Sequence, residues 1–141
     1  MESQPRFEGG CFCGAVRYRA ARDSGSVSIC HCEHCRRASG APLVAWVGVR
    51  RDEFEWTAGE PGAYHHTSDW PTPIRRTFCA DCGTSLTYER EGSEYLDVTA
   101  ASMDDPEAAR PSKHVFVSRQ LSWISLVDDM PRHDRLPPDS K

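Results

Sequence analysis

Apolar and polar positions alternate with a period of two along most of this chain, which is the signature of half-buried β-strands. The alternation is plain at 15–19 and again at 26–30, and residues 43–49 are rich in β-branched and aromatic side chains. Further strands are predicted at 53–57, 63–67, 74–78, 84–88, 95–99 and 114–117, each short and most bounded by Gly, Pro, Asp or Ser. Helical periodicity is weak. The best segments are 33–38 and 106–109, the second with Asp104 or Asp105 as a cap. The pattern predicts a mostly β, single-domain chain of about eight or nine strands with short helical turns. The domain is expected over 7–131, with flexible tails at 1–6 and 132–141, the second carrying Pro137 and Pro138.

Composition narrows the function classes. A chain of 141 residues fits one domain. The longest apolar stretch, 41–49, is interrupted by Pro42 and Gly48. It falls far short of the about 20 residues that a spanning helix needs, so no membrane role is expected. The opening MESQPRFEGG has no apolar region of a secretory signal, so a cytoplasmic protein is expected. The formal charge of -4 argues against nucleic acid as a partner. Nothing in the pattern sets an oligomeric state.

Seven cysteines change the picture: Cys11, Cys13, Cys30, Cys32, Cys35, Cys79 and Cys82. An odd number cannot pair completely, and in a reducing compartment such clusters bind metal or do chemistry. Cys79-Ala80-Asp81-Cys82-Gly83 has the spacing of a zinc-knuckle half-site, with a glycine where the turn needs left-handed backbone. Cys11-Phe12-Cys13-Gly14 is one residue shorter but carries the same trailing glycine, and both segments run straight into strands. Structural zinc takes four ligands, so the two halves together make a closed four-cysteine site. The other three cysteines fall in Cys30-His31-Cys32-Glu33-His34-Cys35. Three protein ligands with one exchangeable position is the pattern of a catalytic zinc. Three thiolates make that zinc a weak Lewis acid, better suited to holding an incoming thiol than to making hydroxide. Three other readings stay open: a redox pair at Cys32 and Cys35, a fourth ligand from His31 or His34, and a single cluster with surplus cysteines.

Four segments carry a family resemblance: residues 10–18, residues 30–40, Phe78-Cys79-Ala80-Asp81-Cys82-Gly83-Thr84, and His114-Val115-Phe116-Val117-Ser118. Over roughly residues 7 to 130 the chain resembles the glutathione-dependent formaldehyde-activating (GFA) enzyme family, also called the centromere protein V domain. The resemblance implies a zinc-stabilised domain of the β-tent type holding two zinc ions. It implies that Cys11, Cys13, Cys79 and Cys82 bind a structural zinc, and that Cys30, Cys32 and Cys35 bind a catalytic one. It further implies carbon–sulfur lyase chemistry, the reversible addition of glutathione to formaldehyde.

The expected partners are therefore a small-molecule thiol and an aldehyde, with glutathione as possible co-substrate. Arg36 and Arg37 directly follow the three-cysteine segment and are candidates for holding a glutathione carboxylate bidentately. Other polar residues have plainer readings. His65 and His66 alternate on a strand, one in and one out. His114 is expected in a buried hydrogen bond. Arg75 and Arg76 alternate across a strand, so one can face the site. Asp128 and Asp129 cap or turn the chain. Trp46, Trp70 and Trp123 are expected in the core; a pocket mouth is the alternative for Trp46 or Trp70, and neither is assigned to it. The competing function is a zinc-stabilised binding module without catalysis. An enzyme keeps an open pocket beside Cys30, Cys32 and Cys35, and a binding module closes it.

Overall fold

Ten short strands and one short helix make up the computed structural model, which describes residues 6–21, 26–68 and 71–137. In chain order they are β1 (Arg6–Gly10), β2 (Arg17–Ala21), β3 (Val27–Cys30), α1 (Glu33–Ser39), β4 (Val44–Arg50), β5 (Phe54–Ala58), β6 (Gly62–Thr67), β7 (Pro73–Phe78), β8 (Ser85–Arg90), β9 (Tyr95–Thr99) and β10 (Lys113–Val115). The fold is mostly β, as the alternation predicts. A three-stranded antiparallel sheet runs β1-β2-β5, and a seven-stranded sheet runs β10-β3-β4-β9-β8-β7-β6. Within the larger sheet only the β10–β3 pair is parallel; His114 lies opposite Ile29 and Val115 opposite Cys30.

Alternation gives the large sheet two different faces. One face carries Val47 and Val49 of β4, Leu96 and Val98 of β9, and Thr87 of β8, and the register shift between β7 and β8 brings Leu86 to the same core. These pack with Phe7, Tyr18 and Ala20 of the small sheet into the main core. Burying one such aliphatic side chain stabilises the fold by about 1.5–3 kcal/mol. The other face carries Trp46 and Gly48 of β4, Tyr88 of β8 and Asp97 of β9, with Cys30 at the end of β3, and it is left to line a cavity.

Three features of the structure differ from the sequence reading. Strand β1 has no strong signal, because Gly9 and Gly10 dilute it. Gly9 is nevertheless required, since a Cβ there would lie 2.5 Å from both the Ser102 carbonyl and the Tyr18 hydroxyl. Residues 132–137 do not hang loose. Arg132 bridges to His114, the His133 N–H donates to the His114 carbonyl at 3.0 Å, and the Phe116 N–H donates to the Arg135 carbonyl at 3.1 Å. Trp123 is 70% exposed rather than in the core. Trp70, residues 1–5 and residues 138–141 lie outside the described residues. Among the described residues no helix is long and apolar enough to cross a membrane.

Candidate active site

Two loops of similar construction bring the first four sulfurs together. In one, the Cys11 N–H donates to the Val16 carbonyl at 3.0 Å and the Gly14 N–H to the Cys11 carbonyl at 3.1 Å. In the other, the Cys79 N–H donates to Thr84 at 2.9 Å and the Gly83 N–H to Cys79 at 2.8 Å. Gly14 and Gly83 both sit at positive φ, 84° and 86°, where other residues are strained. Backbone N–H groups then point at the sulfurs: Val16 to Cys11 Sγ at 3.2 Å, Asp81 and Cys82 to Cys79 Sγ at 3.3 and 3.4 Å. Thr84 ties the halves, accepting from the Phe12 N–H at 3.0 Å and donating to Cys82 Sγ at 3.3 Å. That donation is the main reason the Cys82 thiol is pulled down to about 5.

All four sulfurs lie within 4.8 Å of one another, and no disulfide joins any of the cysteines. The Cys11–Cys13 and Cys13–Cys79 separations are 3.6 and 3.8 Å. The sulfurs of a tetrahedral zinc–thiolate centre stand about 3.8 Å apart, given a metal–sulfur bond of about 2.3 Å. The donor set and its spacing therefore fit a closed four-coordinate ion.

Cys30, Cys32 and Cys35 form a second group, again with sulfurs within 4.8 Å of one another. Cys30 ends β3, Cys32 is the N-cap of α1, and Cys35 lies one turn into it. The Cys35 N–H donates to Cys32 Sγ at 3.3 Å, so the helix start aims that sulfur at the shared centre. Contacts with Cys30 and Cys35 pull the Cys32 thiol strongly down, and the contact with Cys32 pushes Cys30 strongly up. Three crowded thiols oppose one another's ionisation, and a cation among them would relieve that opposition. No histidine belongs to the group.

His31, the residue just past β3, turns away from the group. It is fully buried, and its Nε2–H donates to His114 Nδ1 at 3.0 Å. The His114 Nε2–H donates in turn to the Asp128 carboxylate at 3.0 Å. Asp128 also accepts from the Met130 N–H at 3.0 Å, so it turns the chain and anchors this relay together. The relay pins β10 behind the three-cysteine group. The expectation of a buried, hydrogen-bonded His114 agrees with this geometry. Asp129 is exposed.

The three sulfurs open on a cavity of about 1080 Å³. Its walls carry five cations, Arg76, Arg90, Lys113, Arg119 and Arg135, against two acids, Glu33 and Asp97. An acidic protein thus keeps a positive cavity. Arg36 and Arg37 are not among the lining residues. Arg37 pairs with Glu33 at 2.9 Å on the exposed side of α1, and the Arg36 Nε–H donates to the His31 carbonyl at 3.4 Å. The adjacent pairs divide as a strand demands. His65 is exposed and His66 lines the cavity; Arg75 pairs with Glu89 at 2.7 Å and Arg76 faces inward. Trp46 lines the cavity as well. Sequence reading missed Arg90, Lys113, Arg119, Arg135 and Asp97. They come from separate segments that only the sheet and the C-terminal segment gather, so no local spacing reveals them.

Two wall residues are electrostatically unusual. Asp97 is half-buried on the cavity wall, makes no hydrogen bond among the described residues, and is pushed up to about 6 by burial against the partial relief of Arg90. Arg76 is 7% exposed and stands 4.8 Å over the Tyr88 ring. Its charge favours ionised Cys32 and Cys35.

A β domain with four cysteine sulfurs gathered in one group and three gathered beside a cavity defines a class of protein with two candidate metal centres. Comparison with known proteins gives the family. The chain belongs to the glutathione-dependent formaldehyde-activating enzyme family, whose profile matches residues 6–119. An uncharacterized lyase of Schizosaccharomyces pombe is 31% identical over 84 residues, 60% of this chain and 58% of that protein. A Halomonas elongata protein that provisionally carries the family's name is 26% identical over 129 residues, 84% of this chain and 80% of that protein. The crystal structure of a Rhodobacter sphaeroides protein superposes with a TM-score of 0.55 at 20% identity, covering 89% of this chain and 98% of that one. That likeness shows the fold.

Proposed function

We propose that this chain is a zinc-dependent carbon–sulfur lyase acting on a thiol–aldehyde adduct, with glutathione as the thiol and formaldehyde as the aldehyde. The observation that carries the reading is the contrast between the two sulfur groups. Four sulfurs complete one centre, whereas Cys30, Cys32 and Cys35 leave theirs facing the cavity. Cys11, Cys13, Cys79 and Cys82 are assigned the structural zinc, and Cys30, Cys32 and Cys35 the catalytic one. Zinc in the three-cysteine group supplies the positive charge that keeps a bound thiol ionised at neutral pH.

The chain's own residues do the rest. A free thiol has a pKa of about 8.5, so little thiolate exists at neutral pH without help. The positive walls favour that thiolate and the two carboxylates of glutathione. Lys113 on β10 and Arg119 just beyond it are assigned to carboxylate recognition, the role that Arg36 and Arg37 held on sequence grounds. Trp46 and Phe116 give the cavity apolar surface that limits water around the reacting atoms. The His31–His114–Asp128 relay orients the strand that carries Cys30.

Exchange NMR of glutathione with formaldehyde at equilibrium tests the reading. The wild type is expected to speed the exchange, and Cys32→Ser is expected to abolish that gain. Unaccelerated exchange in wild-type protein carrying two zinc ions refutes it.

A further inference from the structure

Asp97 is an acid without a partner in a cavity whose walls favour anions. Of the two acids lining it, Glu33 is taken by Arg37 at 2.9 Å. Asp97 has no hydrogen bond or ion pair among the described residues, and neither of its oxygens is shut off from the cavity. Arg90 relieves its charge only in part and forms no ion pair with it. Tyr88 stands directly across from Asp97 on β8, and Gly48 directly across on β4. Because that neighbour is glycine, the space beside Oδ1 is left open; a Cβ at Gly48 would stand 3.5 Å from this oxygen. A half-buried charge with nothing to balance it opposes folding. The cation that balances it comes from outside the chain.

The surroundings say what kind of cation that is. Walls with five basic residues disfavour a bare metal ion beside Asp97, and among the described residues Asp97 belongs to no metal-ligating group. Such walls accept a positive group when it is part of a ligand that is negative as a whole. An ammonium on an anionic thiol meets that condition, and its N–H groups suit the two free carboxylate oxygens. The Trp46 and Tyr88 rings, with centroids 6.0 Å apart, pack on the three-cysteine group, and Asp97 follows across from Tyr88. One ring and one strand spacing put the carboxylate on the order of 10 Å from the sulfurs. In extended glutathione the sulfur and the γ-glutamyl ammonium are about 9 Å apart. Resting on the function proposed above, we propose that Asp97 is a specificity-determining residue that accepts hydrogen bonds from the α-ammonium of the thiol's γ-glutamyl group. The site thereby selects thiols that carry a primary ammonium as well as carboxylates. Asp97 takes no part in making or breaking the C–S bond.

Calorimetric titration of the zinc-loaded protein with glutathione and with its desamino analogue, glutaryl-cysteinyl-glycine, tests the assignment. The two thiols differ only in the ammonium. The wild type is expected to bind glutathione roughly 30-fold more tightly, the scale of a charge-assisted hydrogen bond. Asp97→Asn is expected to bring the two affinities within about 3-fold by weakening glutathione alone, with zinc content unchanged. Gly48→Ala keeps the carboxylate but narrows the space beside it, and is expected to lower the preference to about 5-fold. In turnover the loss in Asp97→Asn should fall on the KM for glutathione with kcat little changed, because the ammonium is held alike throughout the reaction. Equal affinities in the wild type overturn the assignment and leave the glutathione reading standing. A preference that survives in Asp97→Asn also overturns it. So does an equal loss for both thiols, which makes the residue a support of the cavity wall. If Asp97→Asn fails to fold, Gly48→Ala decides, and an undiminished preference there overturns the assignment. If the wild type binds neither thiol, the glutathione reading itself fails and the assignment falls with it.

Discussion

Replacing Asp97 with asparagine should stabilise the protein, and by an amount that grows with pH. The carboxyl sits on the cavity wall opposite Gly48, where a Cβ would come only 3.5 Å from its Oδ1. Burial raises it from an ordinary 3.8 to about 6. The sign follows from proton binding. The folded state holds this proton more tightly than the unfolded state, so its contribution is fully present below about pH 4 and is lost as pH rises through about 6. With one pKa unit worth about 1.4 kcal/mol, ionised Asp97 costs about 3 kcal/mol at pH 8 and about half that at pH 5. Asparagine mimics the neutral acid and escapes the cost. Urea unfolding of wild type and Asp97→Asn, followed by tryptophan fluorescence at matched zinc content, measures the difference at each pH. Zinc and thiol titration act on both proteins and cancel in the comparison. A stability difference that stays flat from pH 5 to pH 8 refutes the reasoning, because the carboxyl then carries no buried charge.

Cys82→Ser removes a ligand from the closed centre and should give a poorly folded protein, since the binding energy of a structural zinc is folding energy. Cys32→Ser should instead stay soluble and lose one equivalent of zinc by elemental analysis. His66 is held below its usual pKa by burial and by the Arg76 charge, so its contribution is present above about pH 6.5 and is lost as pH falls below that. His66→Gln offers Arg76 an oxygen acceptor in place of Nε2 and should flatten this acid loss in unfolding experiments between pH 7 and pH 5. Gly9→Ala drives a methyl into the Ser102 carbonyl and the Tyr18 hydroxyl and should lower stability by about 1–3 kcal/mol, visible as a drop in Tm.

The grouping of the cysteines was legible because it is local. Spacing within 11–14, 30–35 and 79–83 constrains where sulfurs can point, and a four-ligand ion leaves little freedom in pairing the halves. Period-two alternation also separated Arg76 from Arg75 and His66 from His65, although it could not say which member faced in. The cavity was not legible. Lys113, Arg90 and Asp97 come from β10, β8 and β9, and their charges look like ordinary surface polarity until the sheet curves them around a common space. Arg36 and Arg37 drew attention through proximity in sequence, but the short helix points Arg37 at Glu33 and Arg36 at a backbone carbonyl. Trp123 shows the same limit, because an aromatic residue in a segment without strand or helix has no periodicity to place it.

The closed centre joins cysteines that are 66 residues apart in the chain, Cys13 and Cys79. A ribosome adding about 5–20 residues per second needs roughly 3–13 seconds to travel from one half to the other. For that interval the early thiols of the nascent polypeptide have no ion to share and no partner loop to shield them. Biosynthesis of this protein is thus exposed to oxidants before the four sulfurs are gathered, and its yield in a cell should fall as oxidant load rises.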